Sequence, residues 1–200
     1  KNLSKRSPRP ALFLQRDKGF IPEGLLNYLS LLGWSIAADR DVFSLDEFIA
    51  AFDVVDVNPN PARFDQKKAE SINGDHVRML DAADFAQRIE PYLAEAGVIG
   101  AEPTEAEREL IVRAAPLIQE RIGLLGEAPG MLGFLFVGEE GVAYEEDALG
   151  SLPANAGEVL AASVGALELI PESDFTTEAV QTALAAPLTD GLELKPRIAY

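Results

Sequence analysis

The sequence predicts a mainly α protein, in which a helical N-terminal subdomain leads into an all-helical bundle or cage. Apolar residues recur at three-and-four spacing along most of the chain. Two capping boxes, Ser44 with Glu47 and Thr104 with Glu107, stand where helices should begin. Few segments alternate apolar with polar residues as half-buried strands must. Helices of this length joined by short links pack as bundles.

In chain order, Pro22-Glu23-Gly24 opens a helix carrying Leu25, Leu26, Leu29 and Leu32, and Gly33 closes it. The Ser44 box starts a second helix over residues 45–52. Asn58-Pro59-Asn60-Pro61 is a turn, because each proline lacks a donor and pushes its predecessor out of the helical region. A short helix is expected over 64–72, with Lys67 and Lys68 outward and Asn73-Gly74 as its stop. Further helices are expected over 81–96, over 104–125 with Pro116 interrupting, over 154–167 and over 176–186. A short apolar piece lies at 131–137. The glycine-rich stretches 126–130 and 138–141 read as connectors.

With 200 residues, of which 48% are hydrophobic, the chain can bury one good core or two small ones. It has no cysteine, which excludes disulfides and thiolate metal sites and fits a reducing, cytoplasmic setting. No apolar run reaches the roughly 20 residues of a membrane span. The formal charge of −16 argues against a polyanionic partner until its distribution is considered. Residues 1–78 hold 11 basic and 11 acidic side chains, whereas residues 79–200 hold 6 and 22. Lys1, Lys5, Arg6 and Arg9 form one basic group, and Arg63, Lys67, Lys68 and Arg78 form another. These are either phosphate contacts or, for the second group, a solvated helix face. From 122 to 194 there is no cation, and that stretch reads as a solubilising surface.

The opening string Lys1-Asn2-Leu3-Ser4-Lys5-Arg6 resembles the K-[ML]-S-K-[SR] signature of class I aminoacyl-tRNA synthetases, with Asn2 where the first signature lysine stands. The run from Arg16-Asp17-Lys18-Gly19-Phe20 through Leu32-Gly33-Trp34-Ser35 follows in the order that glutamyl-tRNA synthetases use. Phe64-Asp65 with Lys68 and Asn73 resembles the next landmark of that family. The chain is therefore similar to the C-terminal part of a bacterial glutamyl-tRNA synthetase. The detailed likeness covers residues 1 to about 80, with an echo at Lys195-Pro196-Arg197.

The resemblance implies a fragment cut at both ends: residues 1–10 as a remnant of the catalytic domain's signature loop, 11–80 as a stem-contact-like subdomain, and 81–200 as a truncated anticodon-binding domain. It implies that the parent uses ATP and Mg²⁺ to activate L-glutamate and transfers it to tRNA(Glu). Lys5 would be the catalytic cation, and Lys5 and Ser4 would bind ATP. Arg63, Lys67, Lys68 and Arg78 would touch tRNA backbone. Glutaminyl relatives carry β-barrel anticodon domains, which the helical second half contradicts. The fragment itself is expected to be an inactive monomer that binds no cofactor or metal. His76 reads as packed or surface, Tyr28 and Trp34 as core, and Asp39, Asp41 and 145–147 as solvated charge. The alternative is a helical protein-interaction module without RNA binding, favoured by the acidic second half and by residues 133–137 if exposed.

Overall fold

The structure is a computed structural model that describes residues 16–59, 63–138, 141, 142, 144 and 146–192. Its regular elements are helical, and among the described residues the only β pairing is an isolated bridge between Ala37 and Arg40. The chain divides into two compact units, residues 1–142 and 143–200.

The first unit begins with α1 (Pro22–Ser30), which has Pro22 in its first turn, where a missing N–H costs nothing. The leucines were its expected apolar stripe. Its fully buried face is instead Gly24, Asn27 and Tyr28, while Leu25 packs only partly against the core and Leu26 is exposed. The cause is α3 (Gln66–Arg78), which crosses so close that a Cβ on Gly24 would lie 2.6 Å from Asn73 Oδ1.

The stop expected at Asn73-Gly74 does not occur, and α3 runs 13 residues. Asn73 is fully buried and acts between elements: its Oδ1 accepts from the Ile21 N–H at 2.9 Å, and its Nδ2 donates to the Gly123 carbonyl at 2.7 Å. A side chain engaged in tertiary bonds no longer competes for the local backbone, which is what makes asparagine a helix stop elsewhere.

Between α1 and α3 lies α2 (Leu45–Ala51). Both reciprocal bonds of its Ser44–Glu47 capping box are made. Phe48 and Phe52 pack around Trp34, which meets Phe43 and Phe48 edge-on at centroid distances of 5.7 and 5.3 Å.

The larger core lies where α4 (Ala82–Glu95) packs on α5 (Glu105–Gln119). Phe85, Ile89 and Leu93 from α4 meet Ile111, Ala115 and Ile118 from α5, joined by Val77 from α3. Each large apolar side chain so buried contributes roughly 1.5–3 kcal/mol. Gly97, at φ 72°, ends α4 in the left-handed conformation, and the Val98 N–H closes on the Leu93 carbonyl.

The helix expected to reach residue 125 ends at Gln119, although it passes through Pro116 unbroken. The backbone beyond it is diverted to tertiary partners, the Gly123 carbonyl to Asn73 and the Leu125 N–H to the Gly19 carbonyl. Gly19 has φ 101°, and a Cβ there would fall 2.3 Å from the Gly126 nitrogen, so only glycine fits. Gln119 is spent on the C-terminus of α3, donating to the carbonyls of Val77 and Leu80 at 3.0 and 2.9 Å. The apolar piece at 131–137 is split between α6 (Ala128–Leu132) and a 3₁₀ turn, Gly133–Leu135.

The second unit contains α7 (Glu146–Gly150), α8 (Ala156–Leu167) and α9 (Thr177–Ala185). The last of these is capped by Thr176 and continues into a π-helical turn, Ala186–Gly191. Within this unit α8, α9 and the π-helical turn pack on one another.

Replacing Asn73 by alanine leaves the buried Ile21 N–H and the part-buried Gly123 carbonyl without this partner, and should destabilise the chain by about 2–3 kcal/mol. Urea unfolding followed by circular dichroism measures this; an unchanged midpoint would show that the amide does not hold the helices together.

Candidate nucleic-acid interface

The second basic group is built on α3 and the residues just before it. Asp65 caps the helix, accepting from the N–H groups of Lys67 and Lys68 at 3.0 and 3.2 Å. Its own N–H donates to the Tyr28 hydroxyl at 2.5 Å, and Phe64 meets the Tyr28 ring edge-on at 4.9 Å. The Phe64-Asp65 pair is thus fixed on α1, and Arg63 emerges next to it, exposed.

The four expected cations do not share one environment. Arg63 and Lys67 are exposed and form no ion pair among the described residues. Lys68 reaches Asp41 at 2.9 Å, and Arg78 is half-buried against Asp75 at 2.7 Å. Lys67 and Arg78 stand 11 residues apart, which puts them on nearly the same face of α3 with about 16 Å between them. After the Asp65 cap, the first turn of α3 has no acidic residue and two lysines. Ser4 and Lys5, the expected ATP contacts, lie outside the described residues.

In the helices after residue 80 the arginines divide in the same way. Arg88 is held in a bidentate pair with Glu23, both bonds 3.0 Å, and is bonded to Asp84 at 2.8 Å. Burial, the largest single influence, raises the Glu23 pKa, but the hydrogen bond from Arg88, a backbone hydrogen bond and the Arg88 charge together outweigh it, and the carboxyl ends below its ordinary value. Arg108 pairs with Glu90 at 3.6 Å. Arg113 and Arg121 are exposed on the outer side of α5 and just past its end, near the exposed apolar side chains of Val112 and Leu117.

His76 is buried within α3. Asn27 donates its Nδ2 to the Asp41 carbonyl and accepts the Phe43 N–H on Oδ1, which fixes the amide orientation. His76 Nε2, 2.8 Å from that oxygen, must therefore be the protonated nitrogen. Burial lowers its pKa, and the carboxylates of Glu23 and Asp75 pull only weakly the other way. It is a packed structural histidine, as its isolation in the sequence implied. Tyr28 and Trp34 are likewise core residues. Among the described residues no group of three His, Asp or Glu side chains could hold a metal, and no helix is long and apolar enough to cross a membrane.

Sequence reasoning missed Asn27, Asn73, Arg88 and Tyr92, whose hydroxyl donates to the Arg16 carbonyl at 2.9 Å. Asn27 flagged itself only as a polar residue inside an apolar helical pattern, and Asn73, read as a helix stop and a family landmark, gave no sign of its tertiary bonds. The apolar segment at 133–137 is mixed: Phe134 is exposed, while Leu135 and Phe136 pack on the main core.

A helical body with exposed cations on one helix and an acid-rich remainder is shared by many folds, and comparison with known proteins narrows the class. A family model described as the anticodon binding domain matches residues 84–197. A second, the catalytic domain of class I tRNA synthetases (E and Q), matches residues 1–71. The chain belongs to the anticodon binding domain family, joined here to a stretch that matches the class I synthetase catalytic domain.

More narrowly, it is homologous over its whole length to bacterial glutamate–tRNA ligases. It is 63% identical over 200 residues to the glutamate–tRNA ligase of Leifsonia xyli subsp. xyli, covering 100% of this chain and 41% of that one. To that of Kocuria rhizophila it is 56% identical, covering 39% of the relative. The chain thus spans about two fifths of the length of the curated relatives it matches. A glutamate tRNA ligase from Elizabethkingia meningosepticum, solved with its amino acid, matches 90% of this chain and 34% of its own at 22% identity, with a TM-score of 0.70. The glutamate–tRNA synthetase of Elizabethkingia anophelis gives 0.67 at 25% identity, covering 33% of that chain. These likenesses agree on the mainly helical fold.

A histidine kept neutral by burial makes stability fall as pH drops below its unfolded-state value of about 6.5, because only the unfolded chain then gains the proton. Stability should be flat above that value and decline between about pH 6.5 and 5, a window above the ordinary carboxylate range. His76→Gln should flatten the decline, as read by urea midpoints across the pH series. An equal slope in both proteins would place the titrating group elsewhere.

Proposed function

We propose that this chain is the tRNA-contacting C-terminal part of a glutamate–tRNA ligase. The parent activates L-glutamate with ATP and Mg²⁺ to glutamyl-adenylate and transfers it to the 3′ end of tRNA(Glu) in translation. The observation that carries this reading is the succession of two matches, a class I catalytic domain to residue 71 and an anticodon binding domain from residue 84, within one stretch homologous to these ligases. The alternative of a helical interaction module without RNA binding finds no support in those matches.

In this reading residues 11–80 contact the inner side of the tRNA and residues 81–200 face the anticodon arm. Arg63 and Lys67 are the strongest candidates for backbone contacts, being exposed cations at the start of α3 that form no ion pair among the described residues. Lys68 and Arg78 would exchange Asp41 and Asp75 for phosphate. Contacts of this kind read A-form shape through phosphates and 2′-hydroxyls. Lys5 would stabilise charge on the ATP phosphates, with Ser4 as a hydrogen-bonding neighbour. Both the loop and its ATP belong to the parent's active site, and the isolated chain should activate no glutamate. The protein would act as a monomer in the cytoplasm.

The test is titration of the chain with tRNA(Glu) at low and moderate salt, an unrelated tRNA serving as competitor. Selective binding that weakens with salt is expected. Arg63→Gln and Lys67→Gln should each weaken it and lower the slope of log affinity against log salt by about one. Absence of selective binding even at low salt would remove tRNA recognition from this part of the ligase.

A further inference from the structure

The exposed, uncommitted cations of the first unit stand on two different helix pairs. α1 packs on α3 over the smaller apolar cluster, which includes Phe20, Tyr28 and Ile72, and α4 packs on α5 over the larger one. Arg63 and Lys67 lie at the start of α3, and Arg113 and Arg121 lie on and just past α5. None of these four is held by a carboxylate among the described residues.

A fork of hydrogen bonds runs between the two pairs. Nη1 and Nη2 of Arg88, on α4, donate to the two carboxylate oxygens of Glu23, on α1, both at 3.0 Å. Arg88 Nε donates to Asp84 one turn back on its own helix at 2.8 Å, which holds the guanidinium plane in place. Apolar packing is non-directional, whereas two parallel bonds to a planar fork fix distance and angle together. The fork crosses from the segment matched to the class I catalytic domain to the segment matched to the anticodon binding domain.

Its placement gives the pair a role in geometry rather than in contact. Arg88 has three N–H groups engaged with carboxylates and a side chain only 29% exposed, so it offers little to a phosphate. The entry to α1 is already tied down, the Arg16 carbonyl by the Tyr92 hydroxyl and the Gly19 carbonyl by the Leu125 N–H. A helix pinned only at its entry can still swing. Glu23, in the first turn of α1, is the further point that sets its direction and with it that of α3. A stiff RNA that meets two groups of cations gains from the second only when their spacing fits, because linked contacts act through effective concentration.

We propose that Arg88, through Glu23, is a positioning residue for tRNA binding. The fork sets the spacing between the α3 cations and the α5 cations so that one tRNA engages both groups at once, and the pair itself touches no RNA. This rests on the reading of the chain as the tRNA-contacting part of a glutamate–tRNA ligase.

The test uses the full-length polypeptide that carries this sequence, titrated across a salt series with tRNA(Glu), with an unrelated tRNA, and with a hairpin of the anticodon arm alone. Glu23→Ala removes the fork, and Arg88→Lys keeps the charge without the fork geometry. Both variants should bind tRNA(Glu) several-fold more weakly and with a shallower salt dependence, since one cation group drops out of the complex. Both should bind the hairpin as the unsubstituted protein does, because it reaches only the α5 group. The sign for Glu23→Ala is the sharpest readout: loss of a carboxylate tightens binding of a polyanion if charge alone matters, and weakens it if the fork sets the spacing. Circular dichroism checks that each variant is folded, and Glu23→Gln, which keeps one acceptor, serves if alanine unfolds the protein. Unchanged or tighter tRNA(Glu) binding by folded variants would overturn the proposal. So would an equal loss for tRNA and hairpin, which would mark a damaged fold or a direct contact. If the unsubstituted protein does not prefer tRNA(Glu) to the unrelated tRNA, the ligase reading fails and the positioning role falls with it; if it does and the variants match it, the positioning role alone fails.

Discussion

One buried amide sets the geometry of the first unit. Asn73 lies on α3 at its crossing with α1, and it bonds one backbone group on each side, the Ile21 N–H and the Gly123 carbonyl. An amide accepts with one arm and donates with the other without carrying charge into the core. Its neighbours are shaped to it: Gly24 lets α1 come within contact of the amide, and Gly74 lets the 123 backbone approach α3. A leucine would fill the volume and leave two backbone groups unpaired in a site of low dielectric, where such groups are costly.

Around that amide, polar ties cross between the segment matched to the catalytic domain and the segment matched to the anticodon binding domain. Glu23 is clamped by Arg88, the Arg16 carbonyl takes the Tyr92 hydroxyl, and the Gly19 carbonyl takes the Leu125 N–H. Val77 and Ile21 sit in the same hydrophobic cluster as Phe85, Ile89 and Ile118. The two matched segments therefore do not meet across a hinge in this region. They share one core, and a displacement of α4 must carry α1 with it, because close-packed interiors transmit strain rather than absorb it.

Much of this was legible in the sequence, and the failures have a common cause. Both capping boxes formed, because a cap is a local device whose partners lie within one turn. Helix ends set by distant partners were misread. Asn73-Gly74 looked like a stop and proved to be the tightest crossing, and residues 120–125 kept a helical pattern while their backbone groups were taken by Asn73 and Gly19. The α1 leucines looked like a core face, but the helix buries Gly24, Asn27 and Tyr28 instead, because α3 approaches Gly24 too closely for a side chain there. The basic group was readable as composition. Its division into exposed Arg63 and Lys67 and paired Lys68 and Arg78 was not, since Asp41 is 27 positions from Lys68 in sequence.

That division bears on how such a chain can hold an RNA at all. Six of the eleven described lysines and arginines pair with carboxylates: Arg16 with Asp17, Arg40 with Glu47, Lys68 with Asp41, Arg78 with Asp75, Arg88 with Glu23 and Asp84, and Arg108 with Glu90. Exposed pairs of this sort are worth at most about 1 kcal/mol, so a phosphate can displace the acid where the geometry allows. Arg88 cannot be recruited so cheaply, because its two partners satisfy the guanidinium from both sides and freeing it would unfasten α1 from α4. Under the proposed function, recognition would rest on exposed cations such as Arg63 and Lys67 at the start of α3 and Arg113 and Arg121 along and just past α5, with the acidic remainder repelling a polyanion elsewhere. A surface organised in this way gains selectivity from where it repels as much as from where it attracts.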